Sequence, residues 1–103
     1  MHHIIYLSRP AAALSNDDLM QLLAGARATN SRLGVTGILF YGDGQFAQLL
    51  EGEQSVLEQL YAKVCADPRH KDVVKLADKE IQHRAYDTWA MAYEPVSGQA
   101  FEA

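Results

Sequence analysis

The sequence predicts an α+β fold: a ferredoxin-like sandwich in the order β-α-β-β-α-β-β, with two helices on one face of a mixed five-stranded sheet. Three observations carry this. Short alternating or continuously apolar segments are interrupted by two segments whose apolar residues recur at helical spacing. Each helical segment lies between strand segments, and right-handed crossovers then put both helices on the same side. A Gly42-Asp43-Gly44 break between two strand segments calls for a hairpin.

The elements follow in order. Residues 3 to 8 form a short strand, with Ile4, Tyr6 and Ser8 on one face and His3, Ile5 and Leu7 on the other. Pro10 and the alanines after it make a loop. Ser15 with Asp18 reads as a capping box, Leu14 can staple to Leu19, and Asp17 and Asp18 suit the positive end of the helix dipole. The helix runs to about Asn30, with Leu19, Leu22, Leu23 and Ala26 as its apolar stripe and Asn30 continuing it. Residues 34 to 41 form the second strand and Gln45 to Glu51 the third, with Phe46, Gln48 and Leu50 on one face. Gly52 breaks that strand. Ser55 with Glu58 reads as a second capping box, Val56, Leu57, Leu60, Tyr61 and Val64 form the next stripe, and Asp67-Pro68 ends the helix. Val73, Val74 and Leu76 mark a fourth strand. Tyr86 to Tyr93 marks a fifth, with Trp89, Met91 and Tyr93 on one face.

At 103 residues the chain is one domain. Nine basic and thirteen acidic residues give a net charge of −4, a balance that argues against partners such as nucleic acid or an anionic membrane. No apolar run reaches the ~18 residues of a transmembrane helix, and Met1-His2-His3-Ile4 has no signal-peptide shape. A single cysteine, Cys65, suits a reducing, cytoplasmic setting; within the second helix it reads as buried or inert. The four histidines lack metal-ligand spacing, so no metal site is expected. There is no phosphate-binding loop or dinucleotide fingerprint, and Arg9 is followed by Pro-Ala-Ala-Ala rather than the Gly-rich nest of an acylphosphatase-type site.

Three polar side chains stand where apolar ones are expected: Tyr6, Gln48 and Asn30. Each alone has a structural explanation, as a core tyrosine or as an amide pairing a backbone group. Together they converge beneath the helices if the first and third strands are neighbours at the sheet centre. A buried planar heterocycle with donors and acceptors along one edge would satisfy all three.

The sequence resembles the BLUF family of flavin-binding blue-light sensors. The marks are Ile5-Tyr6-Leu7-Ser8, Ala26-Arg27-Ala28-Thr29-Asn30, Gly34-Val35-Thr36-Gly37-Ile38-Leu39, the run from Gly44 to Gly52, Asp67-Pro68-Arg69-His70 and Trp89-Ala90-Met91. They occur in order from the first strand to Tyr93. The resemblance implies a light receptor and no enzyme, with FAD as cofactor and FMN as a possible substitute. It places the ring between the two helices, walled by Leu22, Leu23, Ala26 and Leu57. Asn30 would read the ring's C4=O and N3–H, because an amide offers the reverse donor–acceptor pair. Arg27, Arg69 and His70 would meet the ribityl or phosphate part. Thr29 stands where several relatives carry a longer polar residue. In the implied photochemistry Tyr6 donates an electron, and a proton follows through Gln48. The Gln48 amide ends rotated or as its tautomer, with a new hydrogen bond to O4 that shifts absorption to the red. Trp89 and Met91 carry the output.

Residues 1–95 are expected to form this sensor, and 96–103 a tail or the start of an extension. Ile5, Leu7, Leu39 and Leu49 are expected on the sheet face away from the helices, an apolar surface for a second copy or a protein effector. The competing reading is a cofactor-free interaction module on the same sandwich.

Overall fold

The computed structural model describes residues 1–95; the expected tail at 96–103 lies outside the described residues. Strand β1 spans His2–Pro10 and buries Ile4, Tyr6 and Ser8 in strict alternation. Helix α1 spans Asn16–Leu33. Its capping box closes as expected: Ser15 Oγ accepts from the Asp18 N–H, and the Asp18 carboxylate accepts from the Ser15 N–H, both at 3.1 Å. The helix runs three residues past Asn30 because the stop is Gly34, which takes the left-handed conformation (φ 70°) and returns its N–H to the last carbonyls. Gly34 is therefore a helix cap and not the first residue of a strand.

Strands β2, Thr36–Gly42, and β3, Gln45–Gly52, form the hairpin. Asp43 and Gly44 both have positive φ, 52° and 69°, the signature of a type I′ turn. Helix α2 spans Gln54–Ala66. Here the expected capping box fails. Gly52 remains in β3, the chain turns into the helix at Glu53, and Ser55 already lies inside the first turn; no side chain caps this end. The helix does stop at Asp67. Strand β4, His70–Glu80, is far longer than its apolar core suggested, and it is an edge strand, where charged residues are tolerated on the open side.

The sheet order is β4-β1-β3-β2-β5, with β5 at Ala92–Pro95 added parallel to β2. Strands β1 and β3 are adjacent at the centre, as expected. Leu19 and Leu23 of α1 and Leu57 of α2 bury against Ile4, Tyr6, Leu39, Phe46 and Leu50 of the sheet. At Gly37 the backbone of β2 comes so close to β3 that a Cβ would lie 1.9 Å from the Leu49 carbonyl oxygen, which only glycine permits. Among the described residues, no helix is long and apolar enough to cross a membrane, and no group of three or more His, Cys, Asp or Glu is placed to hold a metal.

Four further expectations are corrected. Leu39 is the cross-strand partner of Gln48 and is 2% exposed, so it faces the helices and not the far side. Ile5 pairs with Leu49 and Leu7 with Ala47 on the far face, continuing to the exposed Val74 at the edge. Cys65 is exposed, one position past the Val64 stripe. The fifth strand is only four residues long, because residues 81–91 are diverted by a buried carboxylate. Glu51, 1% exposed, accepts the backbone N–H groups of Ala85 and Tyr86. The Arg84 guanidinium donates to Thr36 Oγ1 at 2.9 Å and to the Gly34 carbonyl at 2.7 Å. Trp89 accepts from the Gly37 N–H but is itself 57% exposed, whereas Met91 is 1% exposed. The two residues therefore share no strand face.

Candidate functional site

Antiparallel pairing of β1 with β3 sets Tyr6 directly opposite Gln48, so both side chains rise on the helix side. The Tyr6 hydroxyl donates to Gln48 Oε1. The same amide donates from Nε2 to Met91 Sδ at 3.6 Å. One carboxamide thus bridges the first strand to the segment leading into the fifth. Burial pushes the Tyr6 phenol far above its ordinary value, so it stays neutral and keeps its proton available. Tyr61 of α2 packs edge-on to it, ring centroids 5.5 Å apart.

Asn30 is held in the last turns of α1 and is 4% exposed. Its Nδ2 donates to the Ala90 carbonyl at 2.8 Å. Among the described residues its Oδ1 takes no hydrogen bond, leaving an acceptor and a second N–H for a ligand edge. Arg27, one turn earlier, donates from Nε to the Met91 carbonyl at 2.9 Å. It is thereby committed to the segment leading into β5 and does not line the cleft where it was expected.

That cleft, about 390 Å³, lies between α1 and α2 over the sheet. Tyr6, Leu39, Phe46, Gln48 and Leu50 floor it. Leu22, Gly25, Ala26 and Thr29 of α1 form one wall, and Leu60, Lys63, Val64 and Asp67 the other, both at i, i+3, i+4, i+7. Arg69 and His70 stand at its end. The structure thus brings together Tyr6, Asn30, Gln48, Leu22, Ala26, Arg69 and His70. Leu23 and Leu57 point into the core instead, 1% and 0% exposed, because one residue along a helix turns the side chain by a quarter turn or more.

Gly25, Lys63, Gln21 and the Glu51–Arg84 anchor were missed. The two helical stripes were legible as spacing once a cleft between the helices was assumed. Nothing local marks Glu51, whose partners lie more than thirty residues away.

The electrostatics of the open end are set by three residues. The Arg69 guanidinium bonds the Asp67 carboxylate through Nε and Nη2 (2.7 Å), holding its pKa down to about 2. His70 exchanges a hydrogen bond with Ser8 at 3.2 Å and lies 5.8 Å from the Phe46 ring. Burial lowers its pKa, against the opposing pull of Asp67. An apolar slot with an amide pair along its inner edge and a cation at its end fits the donor set of a flavin: the walls would take a flat ring, Asn30 and Gln48 would meet its polar edge, and Arg69 would meet a phosphate.

A family model described as sensors of blue light using FAD matches residues 1–92. A photoactivated adenylate cyclase subunit beta from Euglena longa is 40% identical over 83 residues, which is 81% of this chain and 10% of that protein. The dark-state structure of BlrB, a BLUF protein, superposes with a TM-score of 0.85 at 33% identity, over 98% of this chain and 75% of that one. BlrP1 of Klebsiella pneumoniae, solved with FMN and cyclic diGMP, gives 0.84 at 35% identity, over 91% of this chain and 25% of that one. The chain therefore spans only about a tenth of the length of the curated cyclase relative.

Proposed function

The chain belongs to the BLUF family and is a flavin-binding blue-light sensing domain; from that premise we propose that Tyr6, Gln48 and Met91 form its photochemical relay. The observation that carries the reading is the continuous line from the Tyr6 hydroxyl through both ends of the Gln48 amide to the Met91 sulfur. When bound, a flavin supplies a light-driven one-electron oxidant and a ring carbonyl, O4, that accepts a hydrogen bond. Tyr6 is a buried phenol, and its hydroxyl donates to Gln48 Oε1, the bond along which its proton would move. Tyr6 would give up an electron and a proton would follow along its bond to Gln48 Oε1; the return of both would leave Tyr6 neutral. Gln48 is the group left changed, by rotation or by tautomer. A rotated amide turns its N–H away from Met91 and replaces it with an oxygen, which a thioether does not bond. Met91 then repacks, and β5 begins at the next residue. Output runs through Met91; Trp89, exposed and off the strand, serves as a lever on the surface.

The cofactor in this reading is FAD, held by Asn30 and Gln48 at the ring and by Arg69 and His70 at its outer part, with FMN as a substitute. Residues 1–95 make the sensor. The chain turns over no substrate in this reading and works in the cytoplasm, without nucleic acid or membrane. It passes its signal to a second copy or a protein effector on the far sheet face around Ile5, Leu7 and Leu49. A cofactor-free module is set aside, since membership in a flavin-using family goes with the shaped cleft.

Difference absorbance spectra test the relay. The flavin-loaded parent is expected to shift red under blue light and relax in the dark. Gln48→Leu is expected to hold flavin and show no lasting shift. A normal shift in that variant removes Gln48 from the mechanism.

A further inference from the structure

Three successive carbonyls lead into β5, and each is taken by a different donor. The Trp89 carbonyl accepts from the Gly37 N–H of β2 at 3.1 Å, the Ala90 carbonyl from Asn30 Nδ2 at 2.8 Å, and the Met91 carbonyl from Arg27 Nε at 2.9 Å. Arg27 and Asn30 stand at i and i+3 of α1, neighbours on one helix face. In an extended strand successive carbonyls point to opposite sides. Here two in a row meet the same helix, and the chain bends at Ala90 and Met91 to allow it. The bend leaves the Met91 side chain buried with its sulfur on the Gln48 amide, while Trp89, two residues earlier, stays exposed.

We propose that Arg27 is a positioning residue for the photochemical relay: by bonding the Met91 carbonyl it holds the thioether where the Gln48 amide returns after light, and so sets how fast the lit state decays. The inference rests on the relay proposed above and adds to it a residue outside the cleft. The bond matters, not the charge. Arg27 is exposed, the donor is Nε on the stem of the guanidinium, and among the described residues its Nη groups take no hydrogen bond. Asn30 restrains residue 90, one step short of the sulfur-bearing residue; Arg27 restrains residue 91 itself. Farther back, Glu51 holds the segment at Ala85 and Tyr86, so its path does not hang on Arg27 alone. Without Arg27 the bend at Met91 loses one of its two helix restraints and the sulfur drifts. The returning amide N–H then lacks its partner, and return slows.

Two substitutions of equal reach separate the bond from the charge. Methionine places a methyl group, and glutamine an amide nitrogen, where Arg27 has Nε. In the flavin-loaded chain, dark recovery after blue light is expected to slow by roughly fivefold in Arg27→Met, the scale of one net hydrogen bond, and to stay near the parent in Arg27→Gln. In the flavin-free chain, Arg27→Met is expected to speed hydrogen exchange at the β5 amides, and Arg27→Gln is not. In a Met91→Leu background, Arg27→Met is expected to change recovery no further. Arg27→Ala takes the place of Arg27→Met if that variant fails to fold. Parent-like recovery or unchanged exchange in Arg27→Met, equal slowing in Arg27→Gln, or slowing that persists in the Met91→Leu background overturns the role of Arg27; the relay stands if Met91→Leu alone alters recovery. A Met91→Leu chain that recovers like the parent overturns the Met91 step of the relay, and the role of Arg27 with it.

Discussion

Tyr6 and Gln48 owe their meeting to parity. Each lies at an even position of a strand whose even positions face the helices, and they are cross-strand partners. That much was legible in the sequence, since Ile4 and Ser8 flank one and Phe46 and Leu50 the other. Which leucine reaches the cleft was not, because a helix stripe is wide. Leu22 lines it and Leu23 is in the core, though both fit the same apolar period. Tyr6→Phe is expected to keep flavin and lose the photocycle, since the phenyl ring fills the site but offers no proton; transient absorption and flavin fluorescence lifetime would show it. A parent-like cycle would remove Tyr6 as donor. His70 brings a pH effect. Burial lowers its folded pKa below the ordinary 6.5, so the unfolded chain binds the proton more readily. Stability is then expected to fall as pH drops from 7 toward 5. His3, lowered mainly by burial as well, adds a slope of the same sign. In urea melts across that window, His70→Asn is expected to flatten part of the dependence; an unchanged slope would assign the whole effect to other groups.

The two helices and the first three strands follow from periodicity and turn chemistry; of the helix ends, the Ser15 capping box could be read residue by residue, whereas the start of α2 has no side-chain cap and the Gly34 stop of α1 read as strand. The segment after β4 does not follow from local signals. Tyr86, Trp89 and Tyr93 have strand propensity, but the Glu51 carboxylate takes the N–H groups a strand would have used, and Arg84 fastens the diversion to the end of α1. A long-range polar anchor overrode local preference there. Glu51→Ala is expected to destabilise the domain by about 1–3 kcal/mol for each N–H left unpaired, and to blur the Trp89 fluorescence as the segment loosens. Chemical denaturation measures the first effect and emission anisotropy the second. An unfolding midpoint within error of the parent would show that water replaces the carboxylate.

In the molecule as a whole, both helices cover one side of the sheet and leave Ile5, Leu7, Leu49 and Val74 on the other. The adjacency of β1 and β3 was legible from the interleaved β-α-β units, because right-handed crossovers leave them little choice but to pair. The face assignment of Leu39 was not, since β2 is apolar on both faces and gives no alternation. A charge at Leu39 would wreck the core, so the test of the far face is Leu49→Lys. If that face joins two copies, sedimentation of the parent is expected to show a dimer that Leu49→Lys dissociates without loss of flavin. A parent that stays monomeric at high concentration would rule out self-association there.

The matched stripes of α1 and α2 meet across a gap, not across packed side chains. A flavin seated between them would act as interior material that the polypeptide itself does not supply. Binding to the folded state alone stabilises it by mass action, so a cell short of riboflavin would carry more of this chain unfolded and exposed to its proteases. The abundance of the domain would then follow flavin supply before any light reached it.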